Sequence, residues 1–389
     1  MIGARLKQAR LLAGMTQREL ASALGENGLK ITAAAISEYE RQQRNPSAEF
    51  LLLASETLDV PSTYFLHEPS KEIDWFAFRC RKRLSKGERN RIKAYATDRA
   101  ALHIELRELL YPNSTPDLPR LPVNTLTDAE SAAEHLRQHW DVGDRPLDNL
   151  VQIAEDRDVV VIDWHDETGL FDGLSGRCDR HPIAVINTNV PSDRKRLSLA
   201  HEIGHLVMKV DEQCKEKEEH LAYRFAAALL VPAAHAFREL KIKRKNLSWG
   251  ELESLKRKYG MSMSAWVRRA RDLEIVNHST YASMNRFIKS NYWHRNEPGN
   301  YLGDEEPLLL RQMAQHAVSE GFINVDRVSL VSDDLLLDED ELIRSSEYPS
   351  ASELLEMDDE EREDWMSKMF QLAEDMEFEE FEAFGEEDF

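Results

Sequence analysis

Residues 196–208 read RLSLAHEIGHLVM, with two histidines four residues apart and a glutamate directly after the first. On an α-helix, residues four apart share a face, so His201 and His205 can offer two imidazoles to one metal ion. Glu202 then lies beside the water that the metal holds. Zinc lowers the pKa of such a water, and a neighbouring carboxylate can take its proton and pass it to a departing amine. The alternative is a core helix whose two histidines are merely hydrogen-bonded. A catalytic zinc takes three protein ligands and keeps one position open, so the first reading requires a third ligand. The next candidates lie in EEHLAYRFAAALLVP, residues 218–232. Glu219 is the choice, at the start of the helical run LAYRFAAALL where its carboxylate can point back at the histidine helix, with Glu218 and His220 as fallbacks. The spacing implies one zinc per chain.

Upstream of this stretch, DVVVIDW (residues 158–164) and HPIAVINTNV (residues 181–190) are β-branched runs suited to strands, separated by a glycine-bearing turn region, GLFDGLSG. AESAAEHLRQHW and RPLDNLVQIAED read as helices, and a mixed α+β domain follows from this order. PNSTPDLPRLPVNTLTD reads as a proline-rich linker in front of it. Behind it, NLSWGELESLKRKYGMSMSAWVRRARDLEIV reads as two helices around a Gly-Met-Ser turn, resembling another helix-turn-helix, with Arg268, Arg269 and Arg271 read as a solvated face and nucleic-acid contact as the alternative.

A chain of 389 residues is too long for one core. No apolar run approaches the roughly 20 residues of a spanning helix, and MIGARLKQARLLAG is amphipathic rather than a leader, so the expectation is a cytoplasmic protein with no membrane contact. Cys80, Cys178 and Cys214 are odd in number and form no CxxC pair, which argues against a disulfide framework or a thiolate zinc site. The net charge of -21 is concentrated in residues 338–389, which hold 22 acidic and 3 basic residues. Residues 1–112 are mildly basic, and RCRKRLSKGERNR is a concentrated positive run, so a DNA-facing front end is compatible with the acidic sum.

At the N-terminus, Thr16 can cap QRELASAL with Glu19 completing a capping box, and Thr32 begins a second short helix that stops at Asn45-Pro46-Ser47. Two short helices joined by a turn make a helix-turn-helix. TQRELA, ISEYERQQRNPS and LLLASETLDVPSTYFL resemble the Xre/Cro-like DNA-binding domain. That resemblance implies that the second helix enters the major groove. The candidate DNA contacts are Gln17, Arg18, Thr32, Ala33, Ala34, Ser37, Glu38, Arg41 and Arg44. Ala33 and Ala34 can touch a thymine methyl and Glu38 can accept from cytosine, but no bidentate arginine or glutamine stands at the reading positions. Docking on a related repressor is the alternative use of this domain.

RLSLAHEIGHLVM followed by AYRFAAALLVP resembles the ImmA/IrrE family of zinc-dependent peptidases, supported by FRCRKRLSKGERNR, FDGLSG, AVINTN and MSMSAWVRRARDLEIV. The resemblance implies a gluzincin-like site of two histidines and a downstream glutamate. It also implies a biological role, the cutting of a transcriptional repressor, often of Xre type, to release a stress response or a mobile element. One departure is that Tyr223 occupies the position four after the third ligand, commonly Asn or Asp in the family.

The expected architecture is multidomain. An all-α helix-turn-helix domain spans residues 1–70, and a basic helical connector with the proline-rich linker spans 71–126. An α+β zincin-like metallopeptidase domain spans 127–300, a small helical C-terminal region 301–337, and an acidic tail 338–389. In that tail, Trp365, Met369, Leu372, Met376 and Phe381 would line one side of a helix. Its candidate partners are the basic run at residues 79–91, the N-terminal domain in place of DNA, or a separate protein. The function expected is site-specific cleavage of a repressor or related regulatory protein by Glu202 and a zinc on His201, His205 and Glu219. The alternative is a DNA-binding or protein-docking regulator whose zinc is structural or ligand-sensing, without proteolysis.

Overall fold

Along the run DVVVIDW, alternate residues point to opposite sides of a sheet, and both sides are covered. In the computed structural model, which describes residues 2–335 apart from 68–71, 81–82, 144, 294–295, 304, 330 and 332–334, Val159 and Val161 enter one core while Val160 and Ile162 enter another. This is why the run is continuously apolar rather than alternating.

The chain begins with helices α1 (Ile2–Leu12), α2 (Gln17–Glu26), α3 (Ala33–Glu40) and α4 (Ala48–Leu58), then a 3₁₀ turn, Ser62–Leu66. Thr16 caps α2 with the reciprocal bond from Glu19, Thr32 caps α3 and Ser47 caps α4. Strand β1 (Asp74–Cys80) and the long helix α5 (Lys86–Leu110) follow. After β2 (Leu121–Pro122) come α6 (Leu126–His139), α7 (Leu150–Glu155), β3 (Val160–Trp164), β4 (Phe171–Cys178) and β5 (His181–Asn187). Helix α8 (Ser192–Val207) carries the paired histidines and runs into β6 (Met208–Lys209). A 3₁₀ turn, Glu212–Lys217, leads to α9 (Glu218–Leu230), α10 (Ala233–Leu240), α11 (Trp249–Tyr259), α12 (Met263–Asp272) and α13 (His278–Ser290). The chain divides into two units, Met1–Leu310 and Arg311–Phe389; α14 (Leu309–Ser319) begins at their boundary and α15 (Val325–Ser329) lies in the second. The acidic tail and its candidate amphipathic helix, residues 338–389, lie outside the described residues.

The sheet order is β1-β4-β5-β3, with β4 antiparallel to both neighbours and β3 parallel to β5. Helix α5 covers one face through Ile92, Ala96, Ala100 and Ile104. On the other face, Leu199, Ala200, Ile203 and Leu206 of α8 share a core with α6, α7 and α9 to α13.

Three sequence expectations change here. GLFDGLSG is a turn only at its start, where Gly169 has φ 62°; Phe171–Cys178 is strand β4, and the glycines at 173 and 176 serve close approach. A Cβ on Gly173 would stand 2.3 Å from Glu202 Oε1, and one on Gly176 would stand 2.5 Å from the Trp75 ring. Residues 71–126, read as connector and linker, supply the edge strand β1 and the helix α5 that covers the sheet, while Leu121 and Pro122 pair in parallel with Met208 and Lys209. Arg269, assigned to a solvated face, is fully buried; its guanidinium is satisfied by both Glu130 oxygens and by the Val231 carbonyl. A buried cation is tolerated when paired and hydrogen-bonded in this way.

The first helices rest on α5. Arg5 Nη1 bonds Asp98 Oδ1 at 3.0 Å, the Tyr64 hydroxyl donates to Asp98 Oδ2 at 2.8 Å, and Gln8 donates to the Ala94 carbonyl at 2.7 Å. Helix α8 is fixed at its N-terminal half by Arg196, fully buried. Its guanidinium reaches Glu305, the Tyr301 hydroxyl and the carbonyls of Leu147 and Asp148. Glu305 accepts in turn from the backbone N–H groups of Leu150 and Val151 at the start of α7.

Candidate metal centre

Helices α8 and α9 touch because Gly204 has no side chain: a Cβ there would stand 3.0 Å from the Phe225 ring. That approach carries Glu219, in the first turn of α9, over the histidine face of α8. His201 Nε2 and His205 Nε2 lie 3.1 Å apart. The Glu219 carboxylate straddles them, Oε2 at 3.3 Å from His201 Nε2 and Oε1 at 3.3 Å from His205 Nε2.

Zinc bonds of 2.0–2.1 Å at tetrahedral angles put neighbouring ligand atoms about 3.3 Å apart, so two imidazole nitrogens and a carboxylate at these separations fit a zinc. Among the described residues this is the one cluster of His, Cys, Asp or Glu groups with that geometry. The fallbacks take other parts. Glu218 Oε1 faces His205 Nδ1 at 3.5 Å, where a carboxylate orients a ligating ring from behind. His220 meets Arg268 at 2.9 Å. Cys214 is not in the cluster.

The electrostatics of these groups differ although the two histidines are both buried. Burial pulls His201 down to about 4, with Glu219 opposing. Burial also works against charge on His205, but Glu218, Glu219 and Glu202 outweigh it and push it up to about 9. Hydrogen bonds from His201 and His205 hold Glu219 well below the usual carboxylate range. A metal is held by the neutral imidazole, so a metal at this site would compete with the proton that these carboxylates favour on His205.

Glu202 is fully buried on the other flank of α8's histidine face, next to β4. The Ser175 hydroxyl donates to its Oε2, and its Oε1 has no hydrogen-bond partner. Burial raises its carboxyl to about 7, opposed by His205 and the Ser175 bond. A carboxylate with one oxygen anchored and the other free, poised near neutrality, is suited to accept and return a proton. Gly173 and Ser175 were not singled out from the sequence; their signal was FDGLSG itself, a glycine and a hydroxyl two residues apart on a strand and so on one face.

In the N-terminal domain, Arg18, Ala34, Arg41 and Arg44 are exposed, and Ala33, Ser37 and Glu38 are partly so. Two candidates are engaged within the domain. Gln17 donates to Glu40 Oε2 at 2.7 Å, reinforcing the Arg10–Glu40 pair, and Thr32 Oγ1 accepts from Ala35 N at 3.2 Å as the helix cap.

Residues 154–271 match the family model for the IrrE N-terminal-like domain, and residues 6–65 match a helix-turn-helix model. Together the two segments match an ImmA/IrrE protein with an N-terminal Xre-like helix-turn-helix. Among curated proteins none matches it. The ImmA/IrrE family comprises zinc metallopeptidases, and the pairing with a helix-turn-helix fits a transcription-linked metallopeptidase or regulator. No described helix is long and apolar enough to cross a membrane.

Proposed function

We propose that the chain is a zinc-dependent endopeptidase that cuts a regulatory protein, with His201, His205 and Glu219 holding the metal and Glu202 moving the proton. The observation that carries this reading is the buried Glu202 beside the three donors, one oxygen tied by Ser175 and the other free. A structural zinc has no use for such a group, whereas peptide hydrolysis needs one. When bound, zinc supplies Lewis acidity, polarising the scissile carbonyl and making water acidic enough to lose a proton near neutrality. Glu202 Oε1 accepts that proton as the water oxygen bonds to the carbonyl carbon. Breaking the C–N bond then sends the electron pair to nitrogen, and Glu202 delivers the proton to the leaving amine. Ser175 and the gap at Gly173 hold the carboxylate in place for both transfers.

The protein substrate is a repressor of the Xre type. The exposed face of α3, poor in base-reading side chains, favours a docking role for the helix-turn-helix beside or instead of DNA binding. Its residence on a chain with the peptidase gives substrate delivery by pairing of like domains. The test has two parts. Metal analysis is expected to give near one zinc per chain in wild type, with loss in Glu219→Ala and His205→Ala. Repressor disappearance in cells is expected to stop with Glu202→Gln while zinc is retained. No zinc in protein expressed with the metal supplied would end the reading; zinc with repressor loss indifferent to Glu202→Gln would leave a regulator with a non-catalytic metal.

A further inference from the structure

Tyr223 lies one turn along α9 from Glu219, on the same face. Its ring centroid is 4.4 Å from that of His201. The Arg79 guanidinium, reaching from edge strand β1, lies 4.8 Å from the centre of the same ring. Arg79 pairs in register with Gly173, the residue that makes room for Glu202, so β1 brings its cation to the rim of the metal corner. Its charge acts on His201, Glu202 and Tyr223 alike. Arg79 is itself only loosely held, with Nε 3.9 Å from Asp172 Oδ2 and Nη1 buried without a hydrogen-bond partner.

Packing against His201 asks only for an aromatic ring. Tyrosine adds a hydroxyl, and here the side chain is 41% exposed, with no hydrogen bond to that hydroxyl among the described residues. A phenol with an ordinary pKa near 10 keeps its proton at neutral pH and is a donor. A donor at the edge of a metal corner, backed by a cation, is placed to meet negative charge as it forms on substrate oxygen.

We propose that the Tyr223 hydroxyl donates a hydrogen bond to the carbonyl oxygen of the peptide bond being cut, and that Arg79 is the positioning residue that holds the ring against His201. This rests on the peptidase reading above. As the water oxygen adds to the carbonyl carbon, the π pair of the C=O moves onto its oxygen, and the hydroxyl meets that charge without giving up its proton. When the C–N bond breaks, the pair returns to re-form the carbonyl and the hydrogen bond weakens.

The test uses zinc-loaded full-length protein and two probes. N-phosphoryl-Leu-Trp presents a tetrahedral oxyanion, while acetohydroxamate chelates the metal through its own two oxygens. Tyr223→Phe is expected to keep its zinc, to bind acetohydroxamate as wild type does and to lose roughly 10- to 100-fold in affinity for the phosphoryl dipeptide, the range of a hydrogen bond to a charged group. Arg79→Met is expected to lose affinity for the same probe only, and Arg79→Lys to recover part of it. Wild-type affinity for both probes in Tyr223→Phe, or loss of its zinc, would make Tyr223 a packing residue and overturn the proposal. So would a zinc-loaded wild type that binds acetohydroxamate but not the phosphoryl dipeptide, with the metal centre left standing. A wild type without zinc would remove the peptidase reading as well.

Discussion

At the scale of single residues, the clustering of His201, His205 and Glu219 was legible because its information is local. His201 and His205 are related by helical spacing alone, and Glu219 opens the next helix. Glu202 was legible for the same reason. What surrounds Glu202 was not, because Gly173 and Ser175 reach it only through the placement of β4 beside α8. The pair formed by Arg79 and Tyr223 depends in the same way on cross-strand register. Gly173 gives the sharpest test of this surrounding shell. Gly173→Ala puts a Cβ 2.3 Å from Oε1 of the fully buried Glu202, whose other oxygen is tied to Ser175. The expected result is a loss of about 1–3 kcal/mol in urea denaturation, the usual cost of overpacking. Zinc content should remain near one per chain, since the metal donors sit on α8 and α9. A variant as stable as wild type would mean that Glu202 is not confined as described.

At the scale of elements, helices announced themselves through caps and periodicity, and Thr16 and Thr32 cap α2 and α3 as the sequence suggests. Strand β4 did not, because two glycines in FDGLSG look like chain reversal until the groups pressing on them are known. Arg269 escaped for a related reason: an arginine among arginines on a helix gives no sign that Glu130, on α6, is its partner. Helix α5 carries a further property hidden from sequence. His103 is fully buried on it, and burial, then the charges of Arg107 and His181, hold it at about 3, below the usual imidazole value. The unfolded chain takes up a proton near pH 6.5 while the native state does not until about 3, so stability falls as pH drops through that window and is unaffected above it. The slope contributed by one such group is at most about 1.4 kcal/mol per pH unit. Denaturant midpoints measured between pH 7.5 and 5 should decline, and His103→Leu should flatten part of that decline. An unchanged slope in the variant would assign the pH dependence to other groups.

At the scale of the whole molecule, the order of a helix-turn-helix followed by a peptidase was readable from motifs, whereas the physical joint between them was not. Asp98 of α5 binds Arg5 and Tyr64 of the first helices, and α5 lies on the sheet whose other face carries α8 and its histidines. If the N-terminal domain holds DNA, Arg18, Arg41 and Arg44 are its exposed cations for phosphate. Replacing all three with alanine should then reduce the slope of log affinity against log salt by up to about 2.7, near 0.9 for each phosphate no longer neutralised. A slope that does not move would place DNA elsewhere or exclude it, and would strengthen the docking role. The edge strand bears on how such proteins are assembled over evolutionary time. The recognisable peptidase segment begins at residue 154, yet its sheet begins at Asp74. A recombination event that joined a new N-terminal module at residue 154 would discard the strand carrying Arg79 and strip one face of the sheet. The unit that can be inherited intact is thus about eighty residues longer than the segment by which it is recognised.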